Sequence, residues 1–115
     1  MSEQIKPNKQ MRIIQSIFNI NRALDAVNRF LRKECGKQIS LNELDNLVAV
    51  YRHGGSGMAY TAGQLGISSA AMTGAMDSLE YKGLATRCPD IDRRKIQAQI
   101  TERGMKILRI ASDVV

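Results

Sequence analysis

The sequence predicts a single, mainly α-helical domain that carries a small β-wing. Three observations support this fold class. Apolar residues recur at helical spacing over most of the 115 residues. Ser or Thr followed three residues later by Glu or Gln marks helix starts, and one stretch near residue 96 changes to the alternating period of a strand. A chain of this length has room for one modest core and not for a second catalytic lobe.

The first helix is predicted over about residues 10–35. Its apolar positions follow a 4-3-4-3-4 spacing, which places them on one stripe. The stripe comprises Ile13, Ile17, Ile20, Leu24, Val27 and Leu31, and it is widened at its N-terminal end by Met11, Ile14 and Phe18. Such a helix is about 40 Å long, which is more than the rest of the chain can cover. We therefore expect its N-terminal part to pack against another surface; packing on this chain's own helices alone is the alternative.

A second helix is predicted after Ser40, because Ser40 and Glu43 form a capping-box pattern. This helix is expected to end at Gly54-Gly55. The residues that it is expected to bury are Leu44, Leu47, Val48 and Tyr51. The glycine-rich stretch 54–57 predicts a flexible loop, since no strand precedes it and no Lys-Ser or Lys-Thr follows it as in a phosphate-binding loop.

The next two helices form the outline of a helix-turn-helix. A short helix opens at Thr61 and closes at Gly66, and a longer one runs over 69–82 with Ser68 as its N-cap. On the longer helix, successive residues rotate by about 100°, so its faces can be assigned. The predicted core face carries Met72, Ala75, Met76 and Leu79. The opposite face is small and polar, and it carries Ser69, Ala70, Thr73, Gly74 and Asp77.

Two short strands are predicted beyond Gly83, over 84–88 and 96–100. Between them lies a charged tip, 90–95, so the strands and the tip form a wing directly after the helix-turn-helix. Thr101 is predicted to cap a last helix, whose apolar side carries Met105, Leu108 and either Ala111 or Ile107. The organisation predicted is therefore a winged helix-turn-helix region over 39–101, flanked by helical segments 1–38 and 102–115 within one domain.

Composition restricts the function. The sequence has 17 Lys and Arg against 11 Asp and Glu, which favours a polyanionic partner, and residues 1–40 carry eight basic and three acidic side chains. With one histidine and no nucleophile paired with a base, we expect no enzyme, no cofactor and no metal site. The two cysteines, the polar first ten residues and the lack of a long apolar run predict a cytoplasmic protein that does not enter a membrane.

Residues 41–104 resemble the MarR (multiple-antibiotic-resistance regulator) family of winged helix-turn-helix transcription factors. The segments that carry the resemblance are 61–68, Met72-Thr73, 77–83, Asp92-Arg93-Arg94 and 98–104. The resemblance implies a dimer held together by the first and last helices, in which each subunit binds double-stranded DNA. The candidate interface residues are Met11, Ile13, Ile14, Ile17, Ile107, Leu108 and Ala111.

The resemblance also implies that helix 69–82 enters the major groove and that the wing, 88–96, reaches the minor groove. An α-helix fits the major groove, and an arginine at a hairpin tip can enter a narrow minor groove. The candidate DNA-binding residues are Thr61, Ser68, Ser69, Ala70, Thr73, Gly74, Asp77, Arg93, Arg94 and Lys95. We expect a transcriptional regulator that acts as a repressor.

The sequence leaves two further points open. Family members often bind a small aromatic effector near the dimer helices, and in this chain the candidate lining residues are Arg12, Tyr51, His53 and Met58. Some family members sense oxidation through cysteines, for which the candidates in this chain are Cys35 and Cys88. The family commonly has arginine where this chain has Gly74 and Ser78, and usually continues into a further C-terminal helix beyond position 115. These departures motivate an alternative: a winged-helix module that binds protein, or that antagonises a longer relative by forming mixed dimers.

Overall fold

The computed structural model describes residues 8–89 and 95–114, which form five α-helices and a two-stranded sheet. In chain order the elements are α1 (Lys9–Cys35), α2 (Leu41–His53), a 3₁₀ turn (Gly54–Ser56), α3 (Met58–Leu65), α4 (Ser69–Tyr81), β1 (Ala85–Pro89), β2 (Ile96–Ile100) and α5 (Glu102–Val114). The predicted class, mainly α with a small β-wing, is confirmed. Within these ranges, no helix combines the length and the apolar character that a membrane span requires.

One hydrophobic core draws on every helix and both strands. Its fully buried members include Leu31 of α1, Leu47 of α2 and Leu84 just before β1. On α4, Met72, Met76 and Leu79 are buried and Ala75 is partly buried. The predicted core face of α4 is therefore confirmed, and its opposite face is left towards solvent.

The capping box that starts α2 is confirmed. The Ser40 hydroxyl accepts a hydrogen bond from the Glu43 N–H at 3.1 Å, and a Glu43 carboxylate oxygen accepts one from the Ser40 N–H at 3.0 Å. The prediction that Tyr51 is buried is wrong, because Val50 occupies the core position and the Tyr51 side chain is 56% exposed.

The stretch 54–57 is a 3₁₀ turn and not the flexible loop that its composition predicts. Gly54 is buried against β2, where a Cβ would overlap the Ala98 carbonyl group. Because only glycine permits this approach, the turn is packed in place. The helix that follows begins at Met58, one turn before the predicted start at Thr61, and Thr61 lies inside it.

A three-residue turn joins α3 to α4. Gly66 has φ 68°, and the Ile67 N–H donates to the Ala62 carbonyl at 3.0 Å, which ends α3. The Ser68 hydroxyl then accepts from the Ala71 N–H at 3.1 Å and starts α4. The predicted helix-turn-helix is confirmed, with both ends of its turn fixed by hydrogen bonds.

The wing is an antiparallel pair in which Ala85 lies opposite Ile100 and Pro89 opposite Ile96. The predicted strand 96–100 is confirmed. Thr101 links the wing to both neighbouring helices: its hydroxyl donates to the Gly83 carbonyl at 2.6 Å and accepts from the Gly104 N–H at 3.1 Å. The position of the wing is therefore fixed relative to the end of α4.

Helix α1 packs against α5 along its C-terminal half only. Ala23, Val27 and Leu31 are buried there, whereas Ile14 of the N-terminal half is partly buried and the other large apolar residues of that half are about half exposed. Their exposed fractions are Met11 48%, Ile13 55%, Ile17 54%, Phe18 56% and Ile20 42%. The apolar stripe thus continues beyond the surface that the rest of this chain covers.

Candidate nucleic-acid interface

The small, polar face of α4 is open to solvent over its whole length. The five residues predicted for this face, which we call the reading face, are all exposed: Ser69, Ala70, Thr73, Gly74 and Asp77. A Cβ at Gly74 would meet nothing within 4 Å. The face therefore presents small side chains and an accessible backbone, as a helix that must approach a groove closely requires.

Two hydroxyl groups on this face remain able to make new contacts. The Thr73 hydroxyl donates to the Ser69 carbonyl at 3.0 Å and keeps its acceptor lone pairs. The Ser69 hydroxyl makes no hydrogen bond with the residues that the structure describes. The Ser68 hydroxyl, by contrast, is engaged by its capping bond to Ala71, so this predicted contact residue is occupied in holding the helix start.

The structure corrects the prediction that Thr61 is one of the DNA-binding residues. Its side chain is fully buried, and its hydroxyl donates to the Gly57 carbonyl at 2.8 Å. The sequence pattern predicts that Thr61 opens a helix, but α3 begins one turn earlier and Thr61 is buried inside it. Its side chain contributes to packing and not to a contact surface.

The base of the wing lies beside the start of the reading face. A cavity of about 500 Å³ separates them, with Lys95 and Ile96 on one side and Ser69 and Thr73 on the other. Lys95, which is exposed, thus lines the same cavity as Ser69 and Thr73 of α4. Arg93 and Arg94, the other predicted wing contacts, lie outside the described residues.

Arg87 is a residue of this region that the sequence did not single out. It lies on β1, and its guanidinium makes three contacts with α4. One nitrogen donates to the Asp77 carboxylate at 2.7 Å and to the Thr73 carbonyl at 3.0 Å, and the other forms an ion pair with Glu80. Arg87 therefore fastens the wing to the reading face. The basic residue and its acidic partners are ten and seven positions apart, and only the packing of β1 on α4 brings them together.

The C-terminal end of α4 is held by a second polar cluster around Glu43 of α2. One Glu43 oxygen accepts hydrogen bonds from the Ser78 hydroxyl at 2.6 Å and from the Lys82 ammonium at 2.5 Å. Burial of the Glu43 carboxylate raises its pKa, but hydrogen bonds from Lys82, Ser78 and the Ser40 N–H outweigh burial and lower the pKa from 4.5 to about 2. This ionised carboxylate fixes the orientation of α4 against α2.

Two of the candidate effector-lining residues, Met58 and His53, line different cavities among the described residues. Met58 lines the 500 Å³ cavity, together with Tyr60 and Met72. His53 lines a separate cavity of about 220 Å³, and Tyr51 is exposed. A small aromatic effector stays a prediction.

Neither cysteine is in a disulfide, and each Sγ has a hydrogen-bond partner: the Leu31 carbonyl for Cys35 and the Gln99 side chain for Cys88, both at 3.4 Å. Oxidation sensing by either thiol also stays a prediction. In the part of the chain that the structure describes, no cluster of three or more His, Cys, Asp or Glu side chains could hold a metal ion.

The predicted interface residues fall into two groups. On α1, Met11, Ile13 and Ile17 are exposed and Ile14 is partly buried. On α5, Leu108 and Ala111 are partly buried against the core. The structure corrects the prediction that Ile107 lies in the dimer interface, since its side chain is fully buried in this chain's own core and is not available to a partner.

Solved structures share this fold. A protein from Mycobacterium tuberculosis matches with a TM-score of 0.73 and 21% identity, over 99% of this chain and 75% of that one. The transcriptional regulator BldR from Sulfolobus solfataricus is 29% identical, with a TM-score of 0.55 and coverage of 96% and 79%. A mutant of MarR from E. coli, in complex with operator DNA, is 20% identical, with a TM-score of 0.61 and coverage of 97% and 79%. By sequence, no family model and no curated protein matches the chain. The predicted resemblance to the MarR family is confirmed in the fold.

Proposed function

Because the chain has the winged helix-turn-helix fold of MarR, we propose that it is a cytoplasmic, dimeric regulator of transcription that binds specific sites in double-stranded DNA and acts as a repressor. The observation that carries this proposal is the exposed reading face of α4 with Lys95 of the wing base beside its first turn. A single duplex can contact both features together.

In the proposed complex, α4 lies in the major groove and the wing lies over the adjacent minor groove. The major groove is about 12 Å wide and admits one helix. The absence of bulky side chains at Ala70 and Gly74 lets the helix backbone come close to the bases. Lys95, with Arg93 and Arg94 as sequence predicts them, supplies cationic groups to the phosphates and the minor groove. Nothing in this arrangement calls for catalysis, and the proposal is of a binding protein.

Dimerisation is proposed through the N-terminal half of α1. Five large apolar side chains stand about half exposed there on consecutive helical turns, and soluble monomers rarely expose a continuous apolar surface of such extent. A second copy of the chain brings an identical stripe, which is the self-complementary surface that a two-fold dimer requires.

Sedimentation of Ile17→Asp tests the dimer. A buried carboxylate at the centre of the stripe should convert the protein to monomers, since an unpaired charge is costly in an apolar interface. Gln15→Asp is the matched control, because Gln15 is exposed and lies about 160° around the same helix from Ile17, so the dimer should stay intact. A wild-type protein that sediments as a monomer would contradict this part of the proposal.

DNA binding is tested by selecting duplexes from a random library with the wild-type protein. We expect enrichment of a palindromic site whose half-sites lie about one helical turn apart. Affinity should fall steeply as salt rises, because phosphate contacts release counterions, and Arg94→Ala should weaken it. Failure to enrich any duplex would refute the proposal.

A second candidate function is a module that binds protein or forms mixed dimers with a longer relative. One observation favours it: α4 carries no lysine or arginine, so its reading face offers no cation to guanine or phosphate. This candidate predicts no enrichment of duplexes. The library selection therefore separates the two functions directly.

A further inference from the structure

The only charged side chain on the reading face is negative. Asp77 is exposed on this face, which would lie close to the phosphate backbone of the DNA if the proposed function holds. An uncompensated carboxylate there would be repelled by the phosphates. Its presence on an otherwise small and neutral face needs a physical reason.

Arg87 compensates this charge from the neighbouring strand. Its guanidinium nitrogen lies 2.7 Å from the Asp77 carboxylate and 3.0 Å from the Thr73 carbonyl. The guanidinium is thereby held at the side of α4 by the backbone as well as by the carboxylate. The guanidinium partly offsets the Asp77 charge, which it shares with Glu80, and holds Asp77 in one orientation.

Asp77 is not needed to hold Arg87 in place. Glu80 already forms an ion pair with the other guanidinium nitrogen, and its side chain is 34% exposed against 66% for Asp77. Among the residues that the structure describes, the second Asp77 oxygen has no hydrogen-bond partner. Asp77 therefore keeps an acceptor oxygen that the described residues leave unused, on the face proposed for the major groove.

We propose that Asp77 determines specificity by accepting a hydrogen bond from the exocyclic amino group of a cytosine, and that Arg87 is the residue that positions it. The inference rests on the proposed function and names the base that one part of the site reads. An ionised carboxylate only accepts hydrogen bonds. In the major groove, guanine presents acceptors and thymine an acceptor and a methyl group, so neither suits it.

Cytosine is favoured over adenine for a reason of charge. Both bases offer one amino group, but the adenine amino group lies beside the N7 acceptor, which repels the second carboxylate oxygen. An asparagine, which both donates and accepts, reverses this preference because it can pair with adenine at both positions. The identity of residue 77 should therefore be visible in the sequence of the bound site.

The experiment is library selection with the wild-type protein, Asp77→Asn and Asp77→Ala. The wild type should require cytosine at one position of each half-site, and replacement of that cytosine should weaken binding roughly tenfold or more. Asp77→Asn should accept adenine there, and Asp77→Ala should lose preference at that position alone. Asp45→Asn is the matched control, since Asp45 is an exposed carboxylate on α2, outside the reading face, and its replacement should leave the base preference unchanged.

Arg87→Met tests the positioning role. Removal of the guanidinium leaves the Asp77 charge uncompensated, so affinity for every duplex should fall about tenfold or more. The double variant Arg87→Met/Asp77→Ala should recover part of that affinity without recovering the preference for cytosine. A residue that acts only in packing would give no such recovery.

Two results separate the failure of this inference from the failure of the proposed function. Sites whose base preference survives unchanged in Asp77→Ala would overturn the inference while leaving a DNA-binding protein. A wild-type protein that enriches no duplex would overturn the proposed function, and the inference with it.

Discussion

Replacement of Glu43 by glutamine should destabilise the protein at neutral pH and have little effect in acid. The Glu43 carboxylate is held by Lys82, Ser78 and the Ser40 N–H. Glutamine has nearly the same size and can still accept hydrogen bonds, so Glu43→Gln mainly removes the charge. The variant therefore measures how strongly an ionised carboxylate fixes α2 against the end of α4.

The magnitude follows from the pKa of Glu43. A lowering from 4.5 to about 2 corresponds to about 3 kcal/mol in the free energy of unfolding. Solvent reaches the site, since 21% of the Glu43 side chain is exposed, and screening reduces the net value. We expect Glu43→Gln to lose about 1–2 kcal/mol at pH 7.

The pH dependence has a definite sign. The folded protein binds the Glu43 proton less tightly than the unfolded chain, so the stabilisation is complete above pH 4.5 and is lost as the pH falls towards 2. Urea unfolding of the wild type and Glu43→Gln, at equal protein concentration and at pH 7 and pH 3, measures the difference. We expect less than about half of it to remain at pH 3.

The control is Asp45→Asn on the same helix. Asp45 is exposed and makes no ion pair with the described residues, so its replacement should leave stability within about 0.5 kcal/mol at both pH values. A difference between wild type and Glu43→Gln that is absent at pH 7, or that is equally large at pH 3, would refute the assignment of the stabilisation to the ionised carboxylate.

Two further predictions concern the turns that set the position of α4. Gly54→Ala should destabilise the fold by about 1–3 kcal/mol in urea unfolding, because its Cβ would overlap the Ala98 carbonyl. The control is Gly63→Ala on α3, which should not destabilise the fold because a Cβ there meets open space. Equal effects of the two substitutions would contradict the packing described for Gly54. Ser68→Ala should lower the free energy of unfolding by about 1 kcal/mol, because it removes the capping hydrogen bond to the Ala71 N–H. Ser69→Ala should leave the free energy of unfolding nearly unchanged. An unchanged stability of Ser68→Ala would show that the cap does not hold the start of α4.

Local sequence patterns predicted most of the fold because the structure uses local signals at those points. The capping box at Ser40, the Ser68 cap and the alternation over 96–100 act within a few residues, and each is present in the structure as predicted. Where a contact between distant parts of the chain determines the local structure, the prediction from the local pattern was wrong. Gly54 is packed against the Ala98 carbonyl group, a contact far along the chain, and α3 begins at Met58, before Thr61.

The residues of the candidate site also fall into those that a local pattern predicts and those that depend on long-range packing. The reading face of α4 follows from helical rotation alone, so its five exposed residues could be predicted. The Arg87 contacts with Thr73, Asp77 and Glu80 could not, because they depend on how β1 packs against α4. Ile107 was misplaced because its apolar helical position fits either the core or an interface, and only the docking of α5 on the core distinguishes them.

The most direct test of the central claim, that the reading face of α4 contacts DNA, is the duplex affinity of Gly74→Glu and Gly74→Arg on the selected site. Both side chains extend into open space, and both should stabilise the helix by about 0.5–1 kcal/mol relative to glycine. Both add a long, flexible side chain, and the two side chains carry opposite charges. We predict that Gly74→Glu weakens binding at least about tenfold and that Gly74→Arg binds more tightly than Gly74→Glu, with a salt dependence steeper by about one phosphate contact. Equal affinities for the two variants, both folded, would contradict the account.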